Sequence, residues 1–87
     1  RSNPFNPSTK IEYQLPFDAN VTIELYGITG EKIADLIKTE QATGYYTLEV
    51  NGNSLNLTSG VYIYRMVAVG KIDPKAFVSV KKMLMLK

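Results

Sequence analysis

The chain has no cysteine, no histidine and no tryptophan. Without cysteine there is no disulfide and no thiolate metal site, and without histidine the zinc, copper and triad chemistries lose their commonest ligand or base. Nothing approaches the run of about 18 apolar residues that crosses a bilayer as a helix. No charged and apolar leader opens the sequence either. Beginning with Arg1 rather than methionine, the segment is expected to derive from a longer protein whose own N-terminus carries any export signal.

Eighty-seven residues suffice for one hydrophobic core and one domain. A hydrophobic fraction of 45% against 21% charged is ordinary globular composition and argues against disorder. The formal charge of +2 is too small to imply nucleic-acid binding. Its placement is uneven. Over residues 70–87 Lys71, Lys75, Lys81, Lys82 and Lys87 face Asp73 alone, a net +4, and the preceding residues carry −2. Lysines in such a stretch either protect a solvated edge strand from aggregation or form an address for an acidic receptor.

The carboxylates Glu12, Asp18, Glu24, Glu31, Asp35, Glu40, Glu49 and Asp73 are scattered, with no calcium loop and no adjacent pair. A glycosidase holds two carboxyls about 5–10 Å apart across a cleft, which a domain this small hardly provides. No catalytic residue, metal, cofactor or small-molecule substrate is expected. Six tyrosines and three phenylalanines raise the question of a sugar-stacking platform, and Tyr45-Tyr46 cannot both face inward in a regular strand. Asn20-Val21-Thr22 and Asn56-Leu57-Thr58 match the glycosylation pattern, which has meaning only in a eukaryotic secretory context.

Polar and apolar residues alternate through most of the chain, the period of half-buried strands. Residues 9–15 place Ile11, Tyr13 and Leu15 inward; residues 20–26 do the same with Val21, Ile23 and Leu25. The connector from Pro16 to Asn20 is rich in turn formers and predicts a hairpin between these two strands. Residues 31–38 read as a short strand, with one helical turn as the alternative because Ile33, Leu36 and Ile37 fall at helical offsets. Tyr46, Leu48 and Val50 define the inner face of a strand over residues 45–50. A loop follows, whose Leu55 and Leu57 could plug one end of the core.

Residues 60–68 are apolar on both faces apart from Arg65, the signature of a central strand with Tyr62, Tyr64, Met66 and Ala68 innermost. After a turn at 70–74, residues 76–86 close the chain, with Lys81-Lys82 as the point where this strand could divide. Six to seven short strands at about ten-residue spacing predict an all-β fold, an antiparallel immunoglobulin-like β-sandwich. The expected organisation is an entry segment at 1–8 and a sandwich domain at 9–87.

Several strings go beyond composition. Asn3-Pro4-Phe5-Asn6-Pro7-Ser8-Thr9-Lys10-Ile11 opens the chain and Lys81-Lys82-Met83-Leu84-Met85-Leu86-Lys87 ends it. Between them lie Leu25-Tyr26, the Gly27 to Gly30 turn, Gly44-Tyr45-Tyr46 and Ser59-Gly60-Val61-Tyr62-Ile63-Tyr64-Arg65. In this order and spacing they closely resemble the C-terminal sorting domain of the type IX secretion system, type A, over nearly the whole chain. The immunoglobulin-like domain of flagellar hook-capping proteins is similar in the middle motifs.

The resemblance implies a non-catalytic sandwich that directs an N-terminal cargo domain through the outer-membrane type IX translocon to the cell surface. In such families a sortase-like enzyme then removes the domain and anchors the cargo. The positions matching the family's recognition motifs are Gly60, Val61, Tyr62 and Tyr64, then Lys82, Met83, Leu84, Leu86 and Lys87. Two departures stand out: Val50-Asn51-Gly52 replaces a frequent tryptophan, and residues 68–76 are lengthened around Asp73-Pro74. The competing implications are an accessory carbohydrate-binding module and a structural immunoglobulin-like spacer of a larger extracellular enzyme. A closing strand also suits recognition on physical grounds, since its outer edge can join a partner sheet. Met83 and Met85 then point one way and Leu84 and Leu86 the other, so one pair can fill the core and leave the other for the partner.

Overall fold

The computed structural model describes residues 7–87, so most of the entry segment and the first part of the opening string lie outside the described residues. The fold is all-β. Among the described residues six strands run β1 (Ser8–Leu15), β2 (Ala19–Tyr26), β3 (Lys32–Gln41), β4 (Gly44–Asn51), β5 (Gly60–Gly70) and β6 (Ala76–Met85). They form two antiparallel sheets in a sandwich-like arrangement, one of order β1-β4 and one of order β3-β2-β5-β6.

Alternation sets the inner faces as expected. Ile11 and Leu15 on β1, Val21, Ile23 and Leu25 on β2, and Met66 and Ala68 on β5 are all buried. One group of core residues, including Ile11, Leu25, Val50, Tyr62, Met83 and Met85, fills the end where the described chain begins and ends. A second group, including Leu15, Val21, Ile23, Met66 and Ala68, fills the other end. Tyr13, Leu36, Leu48 and Tyr64 pack against both and make the interior continuous. Fully burying each such aliphatic side chain contributes about 1.5–3 kcal/mol.

The expected β1–β2 hairpin does not form. β1 pairs with β4, from Ser8 opposite Asn51 to Leu15 opposite Gly44, whereas β2 pairs with β3 and β5. Alternation fixes which face of a strand is buried but not which strand lies beside it. Pro16, Phe17 and Asp18 therefore carry the chain across from one sheet to the other, with Phe17 packed against the core. The crossing is fastened to the similar β3–β4 crossing: Thr43 N donates to Asp18 Oδ1 at 2.8 Å and Thr43 Oγ1 to the Leu15 carbonyl at 2.8 Å.

β3 is a strand throughout, and the helical offsets have a structural cause. Its register against β2 slips between Ile23 and Glu24 and again between Leu25 and Tyr26, which inserts Leu36 and Ile33 as extra residues. Each bulge shifts the inward parity by one, so Leu36 and Ile37 are both half-buried despite being neighbours. β6, by contrast, is undivided and pairs with β5 without a shift from Gly60 opposite Met85 to Val69 opposite Ala76.

Candidate functional site

The nine residues singled out above converge on one corner, where the start of β5 meets the end of β6. Val61 lies opposite Leu84, Tyr62 opposite Met83 and Tyr64 opposite Lys81, so the two stretches are direct cross-strand neighbours. Their side chains divide by parity. Met83 and Met85 turn inward and are 4% and 0% exposed, whereas Leu84 and Leu86 turn outward at 53% and 70%.

Tyr62 belongs with the inward set. It is 9% exposed, and its hydroxyl donates a 2.7 Å bond to the Thr58 carbonyl, which satisfies the polar tip at the core margin. Tyr64 is half-buried beside the core, and burial raises its phenol pKa above the ordinary tyrosine value. Gly60 adopts φ of +156°, which side chains seldom adopt, although a Cβ there would meet nothing within 4 Å. Gly60, Tyr62, Tyr64 and Met83 thus shape the corner from within or behind it. Val61, Lys82, Leu84, Leu86 and Lys87 form its exposed part.

The exposed part continues an apolar surface. β5 contributes Ile63, Val67 and Val69 to the outer face of its sheet, and β6 adds Val78 and Val80, 50% and 59% exposed. Toward β2 and β3 this face becomes ionic. Lys32 bridges Glu24 at 3.1 Å and Asp35 at 2.8 Å, and Arg65 lies 3.9 Å from Glu24. The Tyr26 hydroxyl and then Lys32 hold the Glu24 carboxyl below its usual range. Lys71 and Lys75 are paired with Glu40 and Asp73, but Lys81, Lys82 and Lys87 enter no ion pair among the described residues. These three cations and the outer valines and leucines are the chemically distinctive feature of the surface.

The loop between β4 and β5 supplies parts that alternation does not reveal. Leu57 is buried and Leu55 packs against the core, as expected of a plug. Gly52 lies so close over Met85 that a Cβ there would come within 2.9 Å of its Sδ. Gly52 N donates to the Pro7 carbonyl and Lys87 N to Ser59 Oγ, both at 2.9 Å, which fixes the two described ends of the chain at the same pole.

Elsewhere the chemistry is sparse. Among the described residues no three potential metal ligands converge. A hollow of about 570 Å³ opens at the opposite pole around Phe17, Gly70 and Ile72. Tyr45 is the exposed member of its pair, 83% accessible, while Tyr46 stacks on Tyr13 with ring centres 5.4 Å apart. The hydroxyls of these stacked rings are engaged by Ala42 and Gln41.

A family model described as the secretion system C-terminal sorting domain matches residues 3–81. The match stops before the exposed end of β6, so residues 82–87 stand on their own geometry. No curated protein and no solved structure matches the chain.

Proposed function

The chain belongs to the family of secretion system C-terminal sorting domains, and from that premise we propose that its β5–β6 corner is the surface by which the type IX machinery recognises it. The family is one of sorting signals rather than of catalysts, and its function is export across the outer membrane to the cell surface or extracellular space. The observation that carries the proposal is the separation of roles along β6. Met83 and Met85 hold the strand in the core, which leaves Leu84, Leu86, Lys82 and Lys87 exposed together with Val61.

In this reading the outer-membrane translocon engages the corner while a cargo domain N-terminal to the sandwich is carried across, and a sortase-like enzyme then removes the domain. The common pole of Pro7 and Lys87 supports it, because a machine holding the corner also lies beside the point from which the chain leads back toward its N-terminus. A carbohydrate-binding reading has less behind it: Tyr45 has no exposed aromatic beside it in its strand, and the Tyr13–Tyr46 stack is half-buried.

The test is a reporter exported to the periplasm of a type IX-competent host with residues 1–87 at its C-terminus. The parent should reach the cell surface. Lys82→Glu with Lys87→Glu, and separately Leu84→Ser with Leu86→Ser, should melt within a few degrees of the parent yet leave the reporter in the periplasm. Secretion of both variants at the parent rate would overturn the assignment of the corner.

A further inference from the structure

β6 is an edge strand of unusual openness. Its sheet ends at β3 on one side and β6 on the other, and the two edges are built differently. The bulges in β3 distort its edge, a common protection against pairing with other chains. β6 is ten residues long and regular against β5, its one strand partner among the described residues.

Three hydrogen bonds show which of its backbone groups face outward. Gly70 N donates to the Lys75 carbonyl and Lys87 N to Ser59 Oγ, so odd-numbered residues turn their main chain toward β5. Thr9 Oγ1, reaching from β1, donates to the Leu84 carbonyl at 2.7 Å, so even-numbered residues turn theirs away from β5. In an antiparallel strand a residue's N–H and C=O point to the same side. Val78, Val80 and Lys82 therefore present open donors and acceptors along the free edge, up to the point where Thr9 closes it.

The side chains beside that edge define what fits. Consecutive residues of a strand point to opposite faces, so Lys81 and Lys82 straddle the edge. Lys82 lies on the outer face with Val78 and Val80. Lys81 and Phe77 look into a groove of about 330 Å³ between β6 and β1, lined also by Ile11, Glu12 and Tyr13. A strand laid on this edge would set two consecutive residues opposite Lys81 and Lys82 and apolar residues opposite Val80, Val78 and Phe77. Acids at the consecutive positions complete the cross-strand pairs. A second copy of this chain would bring its own Lys81 and Lys82 to the same edge, like charge against like.

We propose that the edge of β6 between Phe77 and Lys82 receives an extended segment of the secretion machinery by strand addition, and that this segment carries two adjacent acidic residues beside an apolar stretch. The inference rests on the sorting function proposed above and adds to the corner the strand edge that leads into it at Lys82: main-chain bonds supply the grip, while the lysines set the register.

Proline distinguishes this mode from docking on side chains alone. Val80→Pro removes an outward N–H without removing a bond to β5, a substitution that edge strands tolerate. Val80→Thr keeps the N–H and alters the side chain. In the reporter assay the proline variant should lose surface delivery at least tenfold and the threonine variant should keep it, both with melts close to the parent's. Delivery of a folded Val80→Pro reporter at the parent rate would overturn strand addition and leave the sorting function standing. Failure of the parent itself to reach the surface would overturn both.

Should Val80→Pro not fold, amide exchange of the parent chain decides. The probe is the capped peptide Glu-Glu-Val-Thr-Val-Val, which should slow exchange at Val78, Val80 and Lys82, whereas the same peptide N-methylated at alternate residues should not. Equal effects of the two peptides, or none, overturn the proposal. A concentration-dependent dimer that protects the same amides would assign the edge to a second copy instead.

Discussion

Thr9 and Leu84 lie 75 positions apart, and the hydroxyl of the first donates a 2.7 Å hydrogen bond to the carbonyl of the second. This bond joins the two-stranded sheet to the four-stranded one at the pole where the described chain begins and ends. It closes the sandwich between β1 and β6, which part again toward Phe77 to leave the groove.

Thr9→Val keeps the shape of the side chain and removes the donor. The bond is partly solvated, so its loss should cost about 0.5–1 kcal/mol, toward the lower end for a net hydrogen bond. For a domain of this size that is a fall of about 2–8 °C in Tm. Calorimetry checks the size, and amide exchange should show the loosening first at the end of β6.

Met85 and Leu84 are sequence neighbours with opposite burdens. Met85→Ala empties a fully buried site and should cost about 2–5 kcal/mol, whereas Leu84→Ala, on the exposed face, should stay within about 0.5 kcal/mol of the parent. Urea denaturation of the two variants is the measurement. Similar losses for both would mean that the outer face of β6 is covered in solution.

How far these roles could be read beforehand depends on what alternation encodes. It reports faces, which is why Val21, Ile23 and Leu25 are buried as expected and why the Met83, Met85 and Leu84, Leu86 pairs separate cleanly. It does not report neighbours. The β1–β2 hairpin was the natural expectation from Pro16 to Asn20, but such a link also serves a crossing between sheets, and nothing local distinguishes the two. The bulges opposite β2 broke the period of β3 at Leu36 and imitated a helical spacing. Which of the two pairs in β6 enters the core followed only from register, once Met83 lay opposite the inward Tyr62. That the closing strand can lend its outer edge to a partner was legible, but which of its main-chain groups stay open was not, because that depends on strand order and register.

Acid should weaken the ionic patch on the outer face. The Tyr26 hydroxyl and Lys32 lower the pKa of Glu24 relative to its unfolded value, so its contribution is present at neutral pH. It is lost as the pH falls through the ordinary carboxylate range, about 4.3, and on through the lower folded value. Tm measured from pH 6 to pH 2 should therefore fall less steeply for Glu24→Gln than for the parent. Glu31, lowered by its bond from Thr29, keeps part of the slope in that variant.

Gly52 and Met85 test whether the β4–β5 loop is a fitted lid. A Cβ on Gly52 would come within 2.9 Å of Met85 Sδ, and the backbone there is not in the left-handed region, so the conflict is one of space. Gly52→Ala should cost about 1–3 kcal/mol by overpacking. Met85→Val ends the side chain before the δ position and alone should cost about 1–3 kcal/mol through lost buried surface and the space it leaves. Combined, the two changes should cost clearly less than the sum of their separate effects, since valine has no atom at the position of Sδ or Cε, where methionine meets the new methyl. A double-mutant cycle by urea denaturation reads this coupling directly. Strict additivity would mean that the loop moves aside on its own, and that Gly52 does not hold the end of β6 against the core.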